Sequence, residues 1–273
     1  MLQGIDISRY QNVKDYSLFN SSGIAFCYIK ATDGTTLVST AFATQWAGVG
    51  KTSVMKGAYH FFRPTQDPKA QADFFISTVK PVSGKDLPPM LDIETSDATV
   101  NVQTYVANVK IWIDTVTAAF GVKPVIYTGG PFWKTYLGNS GLFTDSPLWV
   151  AKYSATPPAL FGGWQKLSIW QYSAQGNFAG ITPVDSDYFY GTLADLWNLA
   201  GLKTISKSLT YFDKVVALQE KLTALGFDTK GVDGKFGNNT ETAVKNYQTS
   251  QKITADGIVT PALWQLLFAI KTV

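Results

Sequence analysis

The stretch PPMLDIET, residues 88–95, decides how this chain is read. Met90, Leu91 and Ile93 form a short apolar run suited to a buried strand, yet Asp92 and Glu94 interrupt it with carboxylates on alternate residues. Strand side chains alternate between faces, so these two share a face roughly 6.5–7 Å apart. Like charges that close repel, and burying an ionised carboxylate without a partner is costly. Two acids in an apolar strand therefore point to chemistry.

Seven further runs of similar character surround it: GIDIS (4–8), AFCYIKAT (25–32), MKGAYHFF (55–62), KPVIYTG (123–129), LWVAKY (148–153), LSIWQY (167–172) and VDSDYFYG (184–191). Helical patterns lie between several of them, over Asp67 to Val79 and over Val102 to Phe120, where Val106, Val109, Ile113 and Val116 recur at helical spacing. The stretches after 153 and 172 are too rich in Pro and Gly for helices. The alternation predicts a mostly parallel, TIM-like α/β barrel with some helices missing. Asp6, the Tyr59-His60 pair, Asp92 with Glu94, Tyr127, Gln171 and Asp185 fall at or near the C-terminal ends of their runs, where parallel barrels build sites.

Composition narrows the function classes. The 273 residues suffice for one large domain plus one small one. Aromatics reach 14%, which core and barrel packing largely absorbs, although exposed rings would also suit sugars or bases. No basic segment followed by an apolar stretch opens the chain and no long apolar run occurs, so neither a signal peptide nor a membrane span is expected. The net charge of +3 comes entirely from residues 201–273, with 9 Lys+Arg against 6 Asp+Glu, and without a basic patch no nucleic-acid partner is expected. That mildly basic tail favours an anionic surface such as a bacterial wall. Cys27, alone and flanked by strand formers, reads as a buried structural thiol. One His and one Cys cannot assemble a three-ligand metal site, and no cofactor is expected. No GxSxG elbow accompanies His60, which reads as a packed histidine of the barrel mouth. Gly50-Lys51-Thr52 lacks the upstream glycine of a phosphate loop.

Aromatic density drops over residues 201–212, which divides the chain into 1–200, a linker, and 213–273. In the last part an Asp-Gly turn followed by an apolar residue and a helix occurs twice, at Asp233-Gly234 and Asp256-Gly257, 23 residues apart. Three helices fit. The first, Asp213 to Leu225, carries Val216, Leu218, Leu222 and Leu225; the second starts at Asn238 with Glu241 as a capping box; the third has Thr260 as cap and Pro261 at its first position.

Taken in order, GIDIS, YHFFRP, LDIE, VIYTG, LWVAKY, IWQYS and VDSDYFYG resemble the family 25 glycoside hydrolases, muramidases that cut bacterial peptidoglycan. LQEKLTALGF, VDGKFGNNT, AVKNYQ and ADGIVTPALW are similar to the three-helix peptidoglycan-binding domain. The resemblance implies Glu94 as catalytic acid, with Asp6, Asp92 and Asp185 completing an acidic cluster. It implies Tyr59, Tyr127 and Gln171 as substrate contacts. The family usually shows Asn where Asp187 stands, so Asp187 adds a negative charge with no assigned role. The combination is typical of phage endolysins and bacterial autolysins: a monomer, bound to peptidoglycan, acting on the β-1,4 bond between N-acetylmuramic acid and N-acetylglucosamine. A phage enzyme without a signal peptide would be released by holin-type lysis.

Glycosidic cleavage needs a proton for the departing oxygen and negative charge near the oxocarbenium-like transition state. Crowding by neighbouring carboxylates is expected to keep Glu94 protonated while Asp92 stays ionised. The spacing leaves retaining and inverting routes open; the resemblance favours a substrate-assisted route in which Asp92 orients the acetamido group. Two rivals remain in view. A chitinase-type or glucosaminidase-type hydrolase would resemble DxDxE here, but the first position is Met90, and a silent wall lectin would tend to have lost the acids.

Overall fold

The structure, a computed structural model, describes residues 1–79, 86–201, 205–208 and 212–268, in two compact units: residues 1–80 with 87–191, and residues 81–86 with 192–273. The first unit holds nine strands, β1 (Leu2–Ile7), β2 (Ile24–Asp33), β3 (Leu37–Val38), β4 (Met55–Phe61), β5 (Met90–Ile93), β6 (Val125–Thr128), β7 (Leu148–Ala151), β8 (Ile169–Phe178) and β9 (Ile181–Phe189). Their order is β1-β9-β8-β7-β6-β5-β4-β2-β3, and β1 also pairs with β2, which closes eight strands into a barrel with β3 appended to β2. All eight expected runs are the barrel strands. β1, β2 and β4 to β8 run parallel, whereas β9 is antiparallel to both neighbours.

Four α-helices accompany the barrel among the described residues, α1 (Phe42–Val49), α2 (Pro68–Val79), α3 (Val102–Phe120) and α4 (Gly130–Tyr136), with a 3-10 turn over Tyr16–Ser21. Asp67 starts α2 by accepting from the Ala70 amide at 2.6 Å. Asn101 caps α3 in the same way through Thr104, and Gly121, at φ +70°, ends it in the left-handed conformation that favours glycine. The buried stripe of α3 is Tyr105, Val109, Trp112, Ile113 and Val116; Val106 lies at its margin. The expected gaps are real. Residues 152–168 run without helix beside an aromatic cluster of Trp133, Phe143, Phe161 and Trp164, and a tight turn at Ala179-Gly180 joins β8 to β9.

Alternation then sorts every strand into two faces. Ile5, Cys27, Ile29, Leu91, Ile93, Ile126 and Val150 alternate with the inward set and are fully buried. The inward set carries the rings: Phe26 and Tyr28 from β2, Tyr127 from β6, Trp149 from β7 and Phe189 from β9, with the Tyr28 and Trp149 centroids 5.0 Å apart. Glycine makes room for them. A Cβ on Gly4 would stand 2.2 Å from the Phe26 ring, and one on Gly57 2.4 Å from that of Tyr28, so overpacking at either position costs typically 1–3 kcal/mol. Small residues facing large ones fill the barrel, which absorbs a large share of the aromatic content.

The second unit contains α5 (Leu193–Leu199), α6 (Phe212–Ala224), α7 (Asn238–Ser250) and α8 (Pro261–Phe268), with an antiparallel bridge between Ile205 and Val259. The duplicated Asp-Gly turns have a shared anchor. Gln219 of α6 donates to Asp233 Oδ1 at 2.9 Å and accepts from the Asp233 and Gly234 amides; Gln248 of α7 donates to Asp256 Oδ1 at 2.7 Å and accepts from the Gly257 amide. Two expectations need correction. Val215, not Val216, joins Leu218 and Leu222 in the core, and Leu225 is exposed, because α6 ends at Ala224. At α7 the cap is Gly237 without a side-chain bond, and Glu241 pairs with Lys245 at 2.7 Å instead of reaching back. Thr260 does cap α8, its hydroxyl accepting from the Leu263 amide at 3.2 Å.

Candidate active site

The two-residue period that puts Gly4, Tyr28, Gly57 and Trp149 inside the barrel puts Asp6, Lys30, Tyr59, Asp92, Tyr127, Tyr153, Gln171 and Asp185 at its mouth. Asp92 sits in register with Tyr127 on β6 and with Phe61 on β4. Asp6 pairs directly with Asp185 across β1 and β9. Asp185 thus reaches the mouth from the middle of a reversed strand, not from a C-terminal end. Gln171 ties the far side together. Its Oε1 accepts from the Tyr127 hydroxyl at 2.8 Å and the Tyr153 hydroxyl at 3.0 Å, which fixes the amide so that Nε2 donates to Asp6 Oδ2 at 2.7 Å.

Every carboxyl of this cluster is harder to ionise than usual. Burial raises Asp6 well above the ordinary carboxylate range, Asp185 and Glu94 add to the effect, and the Gln171 bond opposes it. Burial likewise raises Asp92 well above it, with Glu94 adding and Lys30 opposing; Asp92 Oδ1 has no hydrogen-bond partner among the described residues. Glu94 is surrounded by protein yet keeps an exposed edge on the cleft, so its pKa is raised less, by burial and then Asp185 against Lys30. Burial raises Asp185 as well. The expectation that crowding protonates Glu94 while Asp92 stays ionised gives way to burial, which is the first cause for each and raises both members of the pair.

A cleft of about 370 Å³ opens beside Asp92 and Glu94, walled by Tyr59 and Phe61 and by Arg9, Lys30 and Arg63. Asp33 holds that wall together: Arg63 donates to it through Nε at 2.6 Å and Nη2 at 3.0 Å, and Lys30 through Nζ at 3.1 Å. Burial would raise Asp33, but these cations hold it below its usual range. Lys30, Asp33, Arg63 and Tyr153 are site residues that the sequence reasoning passed over, although alternation from Tyr28 and from Trp149 places Lys30 and Tyr153 on the inward face. Tyr153 is 60% exposed at the rim, and burial of its hydroxyl end with the neighbouring acids pushes its pKa up to about 12.

His60 is a correction. It lies on the outward face of β4, fully buried under α2 and α3, stacked on Trp112 and bonded to Thr32 at 2.7 Å and Gln71 at 3.1 Å. Burial lowers its pKa to about 4, so it packs as a neutral ring away from the mouth. Asp187 faces inward one layer below Asp185, wholly buried. Its Oδ1 accepts from Trp149 Nε1 at 3.1 Å; its Oδ2 lies beside the Asp6 carboxyl without the geometry of a hydrogen bond. Among the described residues no group of three or more His, Cys, Asp and Glu side chains could hold a metal ion, and no helix is long and apolar enough to cross a membrane.

Residues 5–181 match the model of glycosyl hydrolases family 25, and residues 213–267 match that of a putative peptidoglycan binding domain. The chain is similar to Lysozyme M1 of Streptomyces globisporus, 34% identical over 211 residues that cover 73% of this chain and 71% of that protein. Among solved structures, the bacterial lysozyme of Streptomyces coelicolor superposes with a TM-score of 0.70 at 32% identity, over 74% of this chain and 97% of the other. A muramidase of Trichobolus zukalii gives 0.68 at 36% identity, over 73% and 99%. The family match stops short of Asp185, whose place in the site rests on its pairing with Asp6.

Proposed function

We propose that this chain, which belongs to glycosyl hydrolases family 25, cuts the β-1,4 bond between N-acetylmuramic acid and N-acetylglucosamine in peptidoglycan, with Glu94 as general acid. One observation carries the reading: the Asp92 and Glu94 pair faces the cleft from β5, opposite the Asp6 and Asp185 pair of β1 and β9. Glu94 is the member that combines a raised pKa with an open edge, so it holds a proton where a departing oxygen can take it. Asp92 lies deeper. An acetamido N–H donated to its unpartnered carboxyl would favour the anion, so the substrate itself would ionise Asp92 as it binds and would fix its own amide for attack. Tyr59, Tyr127 and Gln171 line the sugar site, the last two through the network that ends on Asp6.

The helical part, residues 213–273 beyond a linker at 201–212, holds the same polymer while residues 1–200 cut it. We read the chain as a monomer of 29.8 kDa without a nucleic-acid partner, which light scattering and a nucleic-acid shift assay test directly. The place of action is the bacterial wall. To test bond specificity, digested peptidoglycan is reduced with borohydride: muramitol is the expected product, and glucosaminitol would refute the assignment.

A further inference from the structure

Both arginines of the chain, Arg9 and Arg63, lie on one wall of the cleft, together with Lys30. Chance would scatter them. Arg63 and Lys30 are held in place by Asp33 and by the Phe61 ring between them, at 4.5 Å and 4.3 Å. They share a single carboxylate, so that corner keeps one net positive charge. Arg9 is exposed, stacked on Tyr10 at 5.0 Å and bonded to its hydroxyl at 3.0 Å, and has no carboxylate partner among the described residues. Asp92 and Glu94 line the same cleft as these three cations, and of the three Arg9 is the one without a carboxylate partner among the described residues. A neutral sugar needs no such wall.

The sugar backbone of peptidoglycan is neutral, since its amino groups are acetylated and its lactyl group is amide-linked. Its nearest regular charges are the carboxylates of the peptide stem, carried on the muramyl ring next to the acetamido group. Approaching the acidic mouth, such a stem meets repulsion unless cations meet it. We propose that Arg9, with Lys30 and Arg63 behind it, binds a stem-peptide carboxylate, so that the enzyme selects muramyl residues that carry a peptide. The inference rests on the muramidase reading above and adds a specificity-determining wall to it. Arg9 is the residue free to make the contact, because a guanidinium offers a carboxylate two parallel N–H donors and this one has no carboxylate of its own.

The test compares two substrates and three proteins. Glycan strands with their stems are set against the same strands stripped of peptide by an amidase, each cut by the native chain, Arg9→Gln and Arg9→Lys. The ratio of kcat/KM on peptide-bearing to peptide-free strands should fall about five- to tenfold in Arg9→Gln and be largely kept in Arg9→Lys. In the native chain it should shrink as salt rises, since exposed charges are screened. Equal losses on both substrates, or no loss on either, would overturn the proposal. So would a loss that follows wall phosphates, removed by hydrofluoric acid, instead of the peptide. If the native chain cuts neither substrate at the muramyl bond, the proposed function falls as well; if it cuts both and Arg9→Gln leaves the ratio unmoved, only this proposal falls.

Discussion

Asp187→Asn should stabilise the protein at neutral pH. Asp187 is 0% exposed, one oxygen takes the Trp149 indole N–H, and the other has no hydrogen-bond partner among the described residues. Burial, then Asp6 and Asp185, hold its pKa well above the usual carboxylate value, so in the folded state it favours the proton. The sign follows. A carboxyl whose folded pKa exceeds its unfolded value of about 3.9 adds stability that is complete below that value and is lost as pH rises through the folded pKa. At neutral pH the native chain therefore either buries a charge or holds a proton against the solvent. Asparagine keeps the acceptor for Trp149 and turns an amide N–H toward the Asp6 carboxyl. Removing one unsatisfied buried oxygen is worth about 1–3 kcal/mol, which for a unit of this size raises Tm by roughly 2–12 °C. Melts by circular dichroism at pH 7.5 and pH 4 measure it. The gain should be largest at pH 7.5 and small at pH 4. A variant that melts lower at pH 7.5 would show that Asp187 is satisfied as an anion, and a gain independent of pH would show that its ionisation is not the cause; either would refute the reasoning.

Glu94→Gln keeps shape and removes the transferable proton, so wall hydrolysis should fall by about 10² to 10⁴ while the melt is unchanged or higher. On an aryl glycoside whose leaving group needs little protonation, Glu94→Gln should be largely rescued and Asp92→Asn should not; equal rescue would dissolve the separate roles. A protein ending after Ala200 should cut soluble wall fragments and lose sedimentation with intact walls, and residues 205–273 alone should sediment. An insoluble product at Ala200 but a soluble one ending at Gly191 would move the boundary to where α5 begins. Gly57→Ala should lower Tm through the Tyr28 clash at 2.4 Å, with a large-to-small change at Tyr28 restoring part of the loss.

The barrel was legible because each of its strands is short, apolar and bounded by turn residues, and because α3 keeps its stripe and its Asn101 and Gly121 ends. What sequence could not give was direction. Nothing in VDSDYFYG says that β9 runs against its neighbours; the short turn before it, Ala179-Gly180, is the only local hint. Face assignment was also incomplete. Tyr59 and His60 are adjacent and both suit a mouth, yet only one side of a strand can face it, and the partners from α2 and α3 that claim His60, Gln71, Phe75 and Trp112, lie 11 to 52 positions away. The cationic wall was missed for a related reason. Arg9, Lys30 and Arg63 belong to three separate stretches of sequence; Lys30 and Arg63 meet through Asp33 and Phe61, and Arg9 joins them only by lining the same cleft.

The reversal of β9 explains a pattern that the sequence shows without interpretation. β5 carries Asp-x-Glu and β9 carries Asp-x-Asp, two acid pairs with the same spacing. On a parallel strand the first residue of such a pair is the deeper one, and on an antiparallel strand the second is. Asp92 is accordingly buried and Glu94 open, whereas Asp185 is half-buried beside Asp6 and Asp187 lies a layer down beside Gly4. In each pair one acid is buried, Asp92 or Asp187, and the other, Glu94 or Asp185, keeps some exposure. Depth sets desolvation, and desolvation is the first cause of each raised pKa here. The direction of β9 thus decides which of its two acids is the deeper one: on a parallel strand Asp185 would take the buried place and Asp187 the open one.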